Sequence, residues 1–325
     1  MRTVVVTGAS GFVGGHACRD LAAAGWAVRA LVRRPWREAP EGVTTVVVPD
    51  GSDDSTLHDA VVGATAVVHL AGRAHVLSEK VGDGREAFRI ANVHLTVRLL
   101  RTAEAAGATR FVFVSSIGAV CAASEVPVTD DTLPAPRSAY GISKLEAEGE
   151  VLARPKSSMR TVILRPPMVY GPGMRGNPLR LFDLVGRGVP LPLGAVRNRR
   201  TLLYVGNLTA AIGCTLDSEV TARAFAVADD TDLSTPDLIR AIAASLGIPA
   251  RLFPVPVPML RALGMVGSAM NHVVRIPITL AEVDRLADSL PVDYSGFASA
   301  TGYRPFITMS EGLRRTARWY RAREV

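Results

Sequence analysis

Thr7-Gly8-Ala9-Ser10-Gly11-Phe12-Val13-Gly14 directly follows a short β-branched run from Arg2. It leads into a stripe formed by Val13, Ala17 and Leu21. The run predicts a strand, and the spacing of four predicts a helix over residues 12 to 24. Strand, glycine loop and helix in that order is the context in which Gly-x-x-Gly-x-x-Gly carries meaning. Gly8 permits the tight turn, Gly11 lets the backbone approach a pyrophosphate, and Gly14 lets the helix lie close on the strand. The helix N-terminus then faces the phosphates, with Ser10, Phe12 and Val13 beside them. A plain αβ turn is the other reading of the same residues.

Working outward, Ala27 to Val32 predicts a second strand. It ends Leu31-Val32-Arg33-Arg34, without the carboxylate that would hydrogen-bond a ribose 2′-hydroxyl. Guanidinium groups at Arg33 and Arg34 suit a 2′-phosphate through charge-assisted, bidentate bonds. The pattern therefore favours NADP(H) over NAD(H), with two solvated loop arginines as the alternative. Thr44 to Val48 predicts a third strand ending at Asp50-Gly51, where Asp50 can accept from an adenine amino group. Ser52-Asp53-Asp54-Ser55 behind it is equally rich in helix-capping residues. Ala64 to Leu70 predicts a fourth strand running into Ala71-Gly72, small residues that let the backbone pass close to a cofactor ribose. His75 follows on a loop, open between a surface position and a substrate contact.

A long helix is expected from about Arg85 to Ala106, with Asn92 inside it on what is usually a solvated face. Arg110 to Val114 predicts the fifth strand, delivering Ser115-Ser116 at the strand end where open α/β sheets place their chemistry. Thr161 to Leu164 predicts the sixth. This alternation predicts an α/β fold, a Rossmann doubly wound parallel sheet over residues 1–173 that also receives about 201–227. Residues 174–200 and 228–325, where the alternation loosens, predict a smaller, mostly helical C-terminal substrate lobe. Ser234-Thr235-Pro236-Asp237 opens one of its helices, with Ser234 as the cap.

Length and composition agree with a globular protein. The 325 residues are 48% hydrophobic and 21% charged, enough for a large core. No uninterrupted apolar run is long enough to span a membrane. Met1-Arg2-Thr3 runs straight into the first strand, leaving no room for a signal peptide, so a cytoplasmic location is expected. Cys18, Cys121 and Cys214 are too scattered for a disulfide framework or a zinc site, and no metal is expected. The net charge of +7 comes without an aromatic-interleaved basic stripe, so nucleic acid is not expected as a partner. A general bias towards arginine over lysine explains the scattered arginines more simply, and a few of them are expected to face an anionic small molecule.

Tyr140-Gly141-Ile142-Ser143-Lys144 places a tyrosine and one of only three lysines on one helix face, behind Ser138 as N-cap. Alone, the pair reads as a solvated helix face. With the glycine loop, His69-Leu70-Ala71-Gly72, Ser115-Ser116 and Arg165-Pro166-Pro167-x-Val169-Tyr170-Gly171-Pro172-Gly173, it resembles the extended short-chain dehydrogenase/reductases. That family comprises nucleotide-sugar epimerases, dehydratases and reductases.

The resemblance covers nearly the whole chain and implies roles. Tyr140 would be the general acid/base, and Lys144 would bind the nicotinamide ribose and lower the Tyr140 pKa. Ser116 would hydrogen-bond the reacting oxygen, and Asn92 would lie near the active site. Pro167 and Val169 would wall the nicotinamide. Arg200 would hold a substrate diphosphate, with Asn177 and Arg285 in segments that contact the nucleotide. Free tyrosine is a poor base at neutral pH, and an adjacent ammonium and a cationic nicotinamide act to lower its pKa.

Ile117-Gly118 stands where dehydratases of this family carry Asp-Glu, which excludes dehydration. What remains is hydride and proton handling at C4 of a UDP-hexose or UDP-hexosamine. The arginine-ended second strand tilts this towards a 4-ketoreductase, with a UDP-glucose/UDP-galactose-type 4-epimerase as the alternative. A non-catalytic NADP-binding sensor is the non-enzyme reading, disfavoured because Tyr140, Lys144 and Ser116 are all kept. Val120-Cys121 replaces a common Tyr-Gly, and Met168 an asparagine that often contacts substrate; both leave the sugar open. The resemblance further implies a homodimer through the helices around Asn92 and Tyr140.

Overall fold

Val4, Val5 and Val6 are all fully buried, as expected of a β-branched run at the centre of a parallel sheet. The computed structural model describes residues 2–73, 84–153, 159–270 and 279–323. Ten strands are described: β1 (Thr3–Thr7), β2 (Ala27–Val32), β3 (Val43–Val47), β4 (Ala66–His69), β5 (Arg110–Val114), β6 (Arg160–Arg165), β7 (Met168–Tyr170), β8 (Arg200–Tyr204), β9 (Arg223–Ala226) and β10 (Asp232–Leu233). Seven of them form one parallel sheet in the order β3-β2-β1-β4-β5-β6-β9. The order reverses at β1, and the crevice at that switch point is where doubly wound sheets bind ligands. The fold is Rossmann-like.

The helices are α1 (Phe12–Ala23), α2 (Asp54–Val61), α3 (Gly84–Phe88), α4 (Leu95–Ala105), α5 (Ala139–Leu152), α6 (Asn177–Gly186), α7 (Val205–Asp217), α8 (Thr235–Ser245), α9 (Val257–Met270), α10 (Leu280–Ala287), α11 (Ser295–Thr301) and α12 (Met309–Arg323). Strand alternation sends Val4 and Val6 into a core with Ala17 and Leu21 of α1 and Leu208 and Ile212 of α7. Val5 points the other way, to Leu57, Leu99, Leu100 and Val151 of α2, α4 and α5. Both faces of the sheet are therefore covered.

A third core, built around Phe182, Ile239, Leu313 and Tyr320, belongs to α6, α8 and α12. It lies against a three-stranded sheet in the order β10-β8-β7. Of the segment 201–227 expected to join the large sheet, β9 does so, whereas β8 pairs with β7 and β10 and stands outside it. Helix starts follow their caps: Asp53 accepts from the Thr56 N–H, Ser138 from Gly141 and Ser234 from Asp237. The long helix expected from Arg85 to Ala106 is interrupted by a π-helical turn over Arg89–His94.

Candidate active site

The glycine loop closes on the end of β4. Gly8 has φ +68°, and a Cβ there would come within 2.7 Å of the Ala71 nitrogen. A Cβ on Gly14 would overlap the Gly8 carbonyl, so α1 can lie on the loop only with glycine at that position. Gly11 donates to the Gly8 carbonyl at 2.9 Å and serves as N-cap of α1 without any side-chain cap. The first-turn N–H groups of a twelve-residue helix are thus left without a side-chain acceptor, beside exposed Ser10 and Gly11. Unsatisfied donors at the positive end of a helix dipole suit a pyrophosphate. Phe12 and Val13 are partly buried against the third core. A dinucleotide fits this cradle.

At the cradle's far end, Arg33 donates to Asp50 at 3.1 Å, with both side chains about three-quarters exposed. Arg34 and Gly51 are also exposed. The two groups read separately, for a 2′-phosphate and for adenine, are therefore paired with each other across the ends of β2 and β3.

The residues expected to handle the proton meet at the end of β5. Gly141 permits this, because a Cβ there would overlap the Gly118 carbonyl of the short 3-10 turn Ile117–Ala119. With α5 seated so tightly, Tyr140 comes beside Ser116, whose hydroxyl bears on its titration. The Tyr140 ring also meets Phe88 edge-on at 6.1 Å. Burial raises the Tyr140 pKa, and the neighbouring Ser116 hydroxyl works against that rise. The lowered pKa expected of Tyr140 is thus not a property of the protein's own groups.

Lys144 explains part of this. Its ammonium donates to the Val114 carbonyl at 2.9 Å and lies 4.1 Å from the Phe113 ring centroid. Burial pulls its pKa down to about 7, opposed by the carboxylate of Glu148 one turn further along α5. Glu148 is itself buried and held bidentately by Arg165 at 2.7–3.2 Å. His69, at the end of β4, is fully buried and bonded to Thr7 at 2.7 Å and Thr96 at 3.0 Å. Burial, and then repulsion from Lys144, brings its pKa down to about 3, so it is neutral.

Asn92 is not on a solvated face. It is 1% exposed, and the π-helical turn directs its side chain inward. Its Oδ1 accepts from the Arg73 N–H at 2.8 Å, and its Nδ2 donates to the Arg73 carbonyl at 3.2 Å and to Ser143 Oγ at 2.9 Å. Ser143 in turn donates to the Tyr140 carbonyl at 2.8 Å. A Cβ on Gly72 would stand 3.0 Å from Asn92 Oδ1 and 4.0 Å from Lys144 Nζ. Leu70, Ala71 and Gly72 therefore end β4 at the point where Asn92 and Lys144 converge. Such π-turns recur at functional sites.

On the lobe side, Arg200 donates to the carbonyls of Arg285 at 2.8 Å and Asp288 at 3.0 Å, and burial lowers its pKa. Its guanidinium is thereby fixed, while the Arg285 side chain is exposed. Asn177 is the first residue of α6, whose Arg180 approaches Glu282 of α10 at 3.7 Å. Pro167 is buried beside half-buried Val169 on β7. His75 lies outside the described residues. Glu148, Arg165 and Ser143 went unnoticed in the sequence. The available signal was Glu148 at four residues from Lys144 on the same face.

Comparison with known proteins agrees with this geometry. Residues 4–228 match the NAD dependent epimerase/dehydratase family. The UDP-glucose 4-epimerase of Vibrio cholerae is 34% identical over 97% of this chain and 94% of its own length. A ceramide reductase of Caulobacter vibrioides is 29% identical over 98% of this chain and 94% of its own length. Among solved structures, MoeE5 in complex with UDP-glucuronic acid and NAD superposes with a TM-score of 0.77 at 25% identity, covering 99% of this chain and 100% of that one. The glycine cradle, Tyr140 beside Ser116 and the buried Lys144 are thus set in a chain that belongs to the NAD-dependent epimerase/dehydratase family.

Proposed function

We propose that this protein is an NAD(P)-dependent enzyme acting at C4 of a UDP-hexose or UDP-hexosamine, with 4-epimerisation as the first reading. The observation that carries it is the grouping of Tyr140 beside Ser116 at the end of β5, with buried Lys144 one helical turn along, anchored on the Val114 carbonyl. The likeness to a UDP-glucose 4-epimerase over almost the full length supports the epimerase. The arginine-ended β2 supports a second reading, a 4-ketoreductase using NADP(H), although Arg33 already has Asp50 as partner.

The nicotinamide, when bound, accepts and returns hydride. Tyr140 takes the proton of the C4 hydroxyl, or delivers one to a C4 ketone, and Ser116 holds the same oxygen in line. Lys144, anchored on the Val114 carbonyl, sets the position of a ribose at the β4 end. Arg200, fixed through its bonds to two carbonyls, presents charge to the substrate diphosphate, with Arg285 and Asn177 beside it. Positioning of this kind turns a bimolecular encounter into an oriented one. A homodimer through α4 and α5 belongs to the same reading, supported by Ile90 and Leu95, exposed at 55% and 36% on that flank.

The test is to denature the purified protein, identify any released nucleotide by mass, and assay UDP-glucose against UDP-galactose. Retained NAD⁺ with interconversion supports the epimerase. Protein that arrives empty and consumes NADPH only with a UDP-4-ketohexosamine supports the ketoreductase. In either case Tyr140→Phe should keep nucleotide binding and lose about 10²-fold or more in turnover. Undiminished turnover would remove Tyr140 from its role.

A further inference from the structure

Most of the excess charge of this chain and half of the exposed large apolar side chains among the described residues lie in one place. Two lobe segments, residues 184–200 and 251–270, are joined through the Leu191–Leu252 bridge and a 3.0 Å bond from the Gly194 N–H to the Phe253 carbonyl. Together these segments contain six arginines and no aspartate or glutamate. Taking those six from 37 basic residues leaves 31 against 30 acids, so six of the seven excess charges are theirs. Arg199 and Arg261 pair with acids from β10 and α10. Arg187, Arg197 and Arg251 are exposed and have no ion pair among the described residues.

The same segments expose Phe253 at 45%, Met259 at 58%, Leu263 at 60%, Met265 at 55% and Val266 at 58%. A surface helix ordinarily turns its polar face outward. α9 does the reverse. Its small residues face α10: a Cβ on Gly264 would lie 2.9 Å from Leu280 Cα, and Ser268 Oγ accepts from the Leu280 N–H at 3.0 Å. Its apolar stripe is left outside, and Arg261 is the one charged residue in the helix. A contiguous apolar patch of this kind marks a docking surface.

Charge decides what docks there. A second copy would bring the unpaired Arg187, Arg197 and Arg251 against the same three arginines, an arrangement that like-charge repulsion penalises. An apolar stripe beside unpaired arginines is complementary to a bilayer carrying anionic headgroups. Fourteen residues make a helix of about 21 Å, short of the roughly 30 Å hydrocarbon thickness. No described helix is long and apolar enough to cross a membrane. α9 would therefore lie along the surface.

We propose that α9 and residues 184–200 form a face that docks on an anionic lipid surface, with apolar side chains among the headgroups and arginines on the phosphates. Arg261 of α9 holds Asp288, whose carbonyl holds Arg200, so this face adjoins the candidate site. The inference stands independently of the reaction proposed above.

The experiment is flotation of the full chain with phosphatidylglycerol/phosphatidylcholine vesicles and with phosphatidylcholine alone, at low and high salt. Two double variants accompany it, Leu263→Glu with Val266→Glu, and Arg187→Glu with Arg251→Glu. Melting temperature and nucleotide binding establish that each is folded. Binding that requires phosphatidylglycerol, weakens with salt and drops at least about tenfold in both variants is the expected result. No flotation, or equal flotation with phosphatidylcholine alone, overturns the proposal. So does a wild type that ignores vesicles but dimerises through this face, becoming monomeric in the variants.

Discussion

Two buried cations flank the same carboxylate and are treated in opposite ways. Arg165 meets Glu148 bidentately, and the two side chains are 7% and 1% exposed. Lys144, one turn away from Glu148 on α5, has among the described residues a carbonyl and the face of Phe113. Arginine's planar fork matches a carboxylate and keeps its charge when buried, whereas lysine's ammonium gives up its proton more readily. The first site is a satisfied ion pair that ties α5 to β6. The second is a cation kept short of partners where a ligand would meet it. Burial under one roof thus yields a structural charge and a titratable one, and the difference is set by who receives the carboxylate.

The largest expected effect breaks the satisfied half. Glu148→Gln leaves Arg165 charged and unpaired, a loss of about 3–5 kcal/mol in urea unfolding. Because Glu148 also raises the Lys144 pKa, the same variant should titrate Lys144 at lower pH by NMR. Stability close to wild type would mean the pair is no more than a surface contact.

Lys144→Met tests the other half. Removing a buried cation with no acid of its own should leave unfolding free energy at neutral pH unchanged or higher, while turnover falls about 10²-fold or more. The pH dependence gives a second readout. The folded Lys144 pKa of about 7 lies below its unfolded value of 10.5, so between the two the unfolded chain binds more protons. Stability should therefore rise with pH across that window in the wild type, and this component should be absent in the variant. A loss of stability matching that of Glu148→Gln would erase the distinction between the two sites.

His69 sharpens the comparison from the neutral side. Its folded pKa of about 3 lies below the unfolded 6.5, so its stabilising contribution is complete above pH 6.5 and is lost as pH falls towards 3. The slope approaches about 1.4 kcal/mol per pH unit within that range. His69→Asn should flatten this acid limb in melts recorded between those pH values. An unchanged limb would assign acid lability elsewhere.

The smallest effect belongs to the exposed pair. Arg33→Ala should change stability by less than about 0.5 kcal/mol, since its partner Asp50 is equally exposed. What should move is the ratio of affinities for NADPH and NADH. A ratio indifferent to the substitution would show that Arg33 serves Asp50 alone.

Much of the fold could be read from local pattern. β2 and β5 lie on the residues the β-branched runs predicted, and Ser138 caps α5 as expected. Asn92 shows where such reading stops. Propensity places a mid-helix asparagine in solvent, yet a π-turn whose hydrogen bonds close with Arg73 and Ser143 rotates it inward. β8 shows the same limit. Its sequence calls for a strand, but its partners β7 and β10 are fixed by the lobe that forms around them.

Sequence alone determined the elements and the chemistry they bear: the glycine turn, the Tyr140–Lys144 face, the serine at a strand end and the arginines of the lobe. Those follow from backbone sterics and side-chain periodicity, which act over a few residues. Tertiary structure decided protonation and partnership. Which cation receives Glu148, how far burial moves Lys144, whether Arg33 faces Asp50, and which side of α9 meets water all depend on groups brought together from distant parts of the chain. Desolvation and ion pairing are properties of that assembled surrounding.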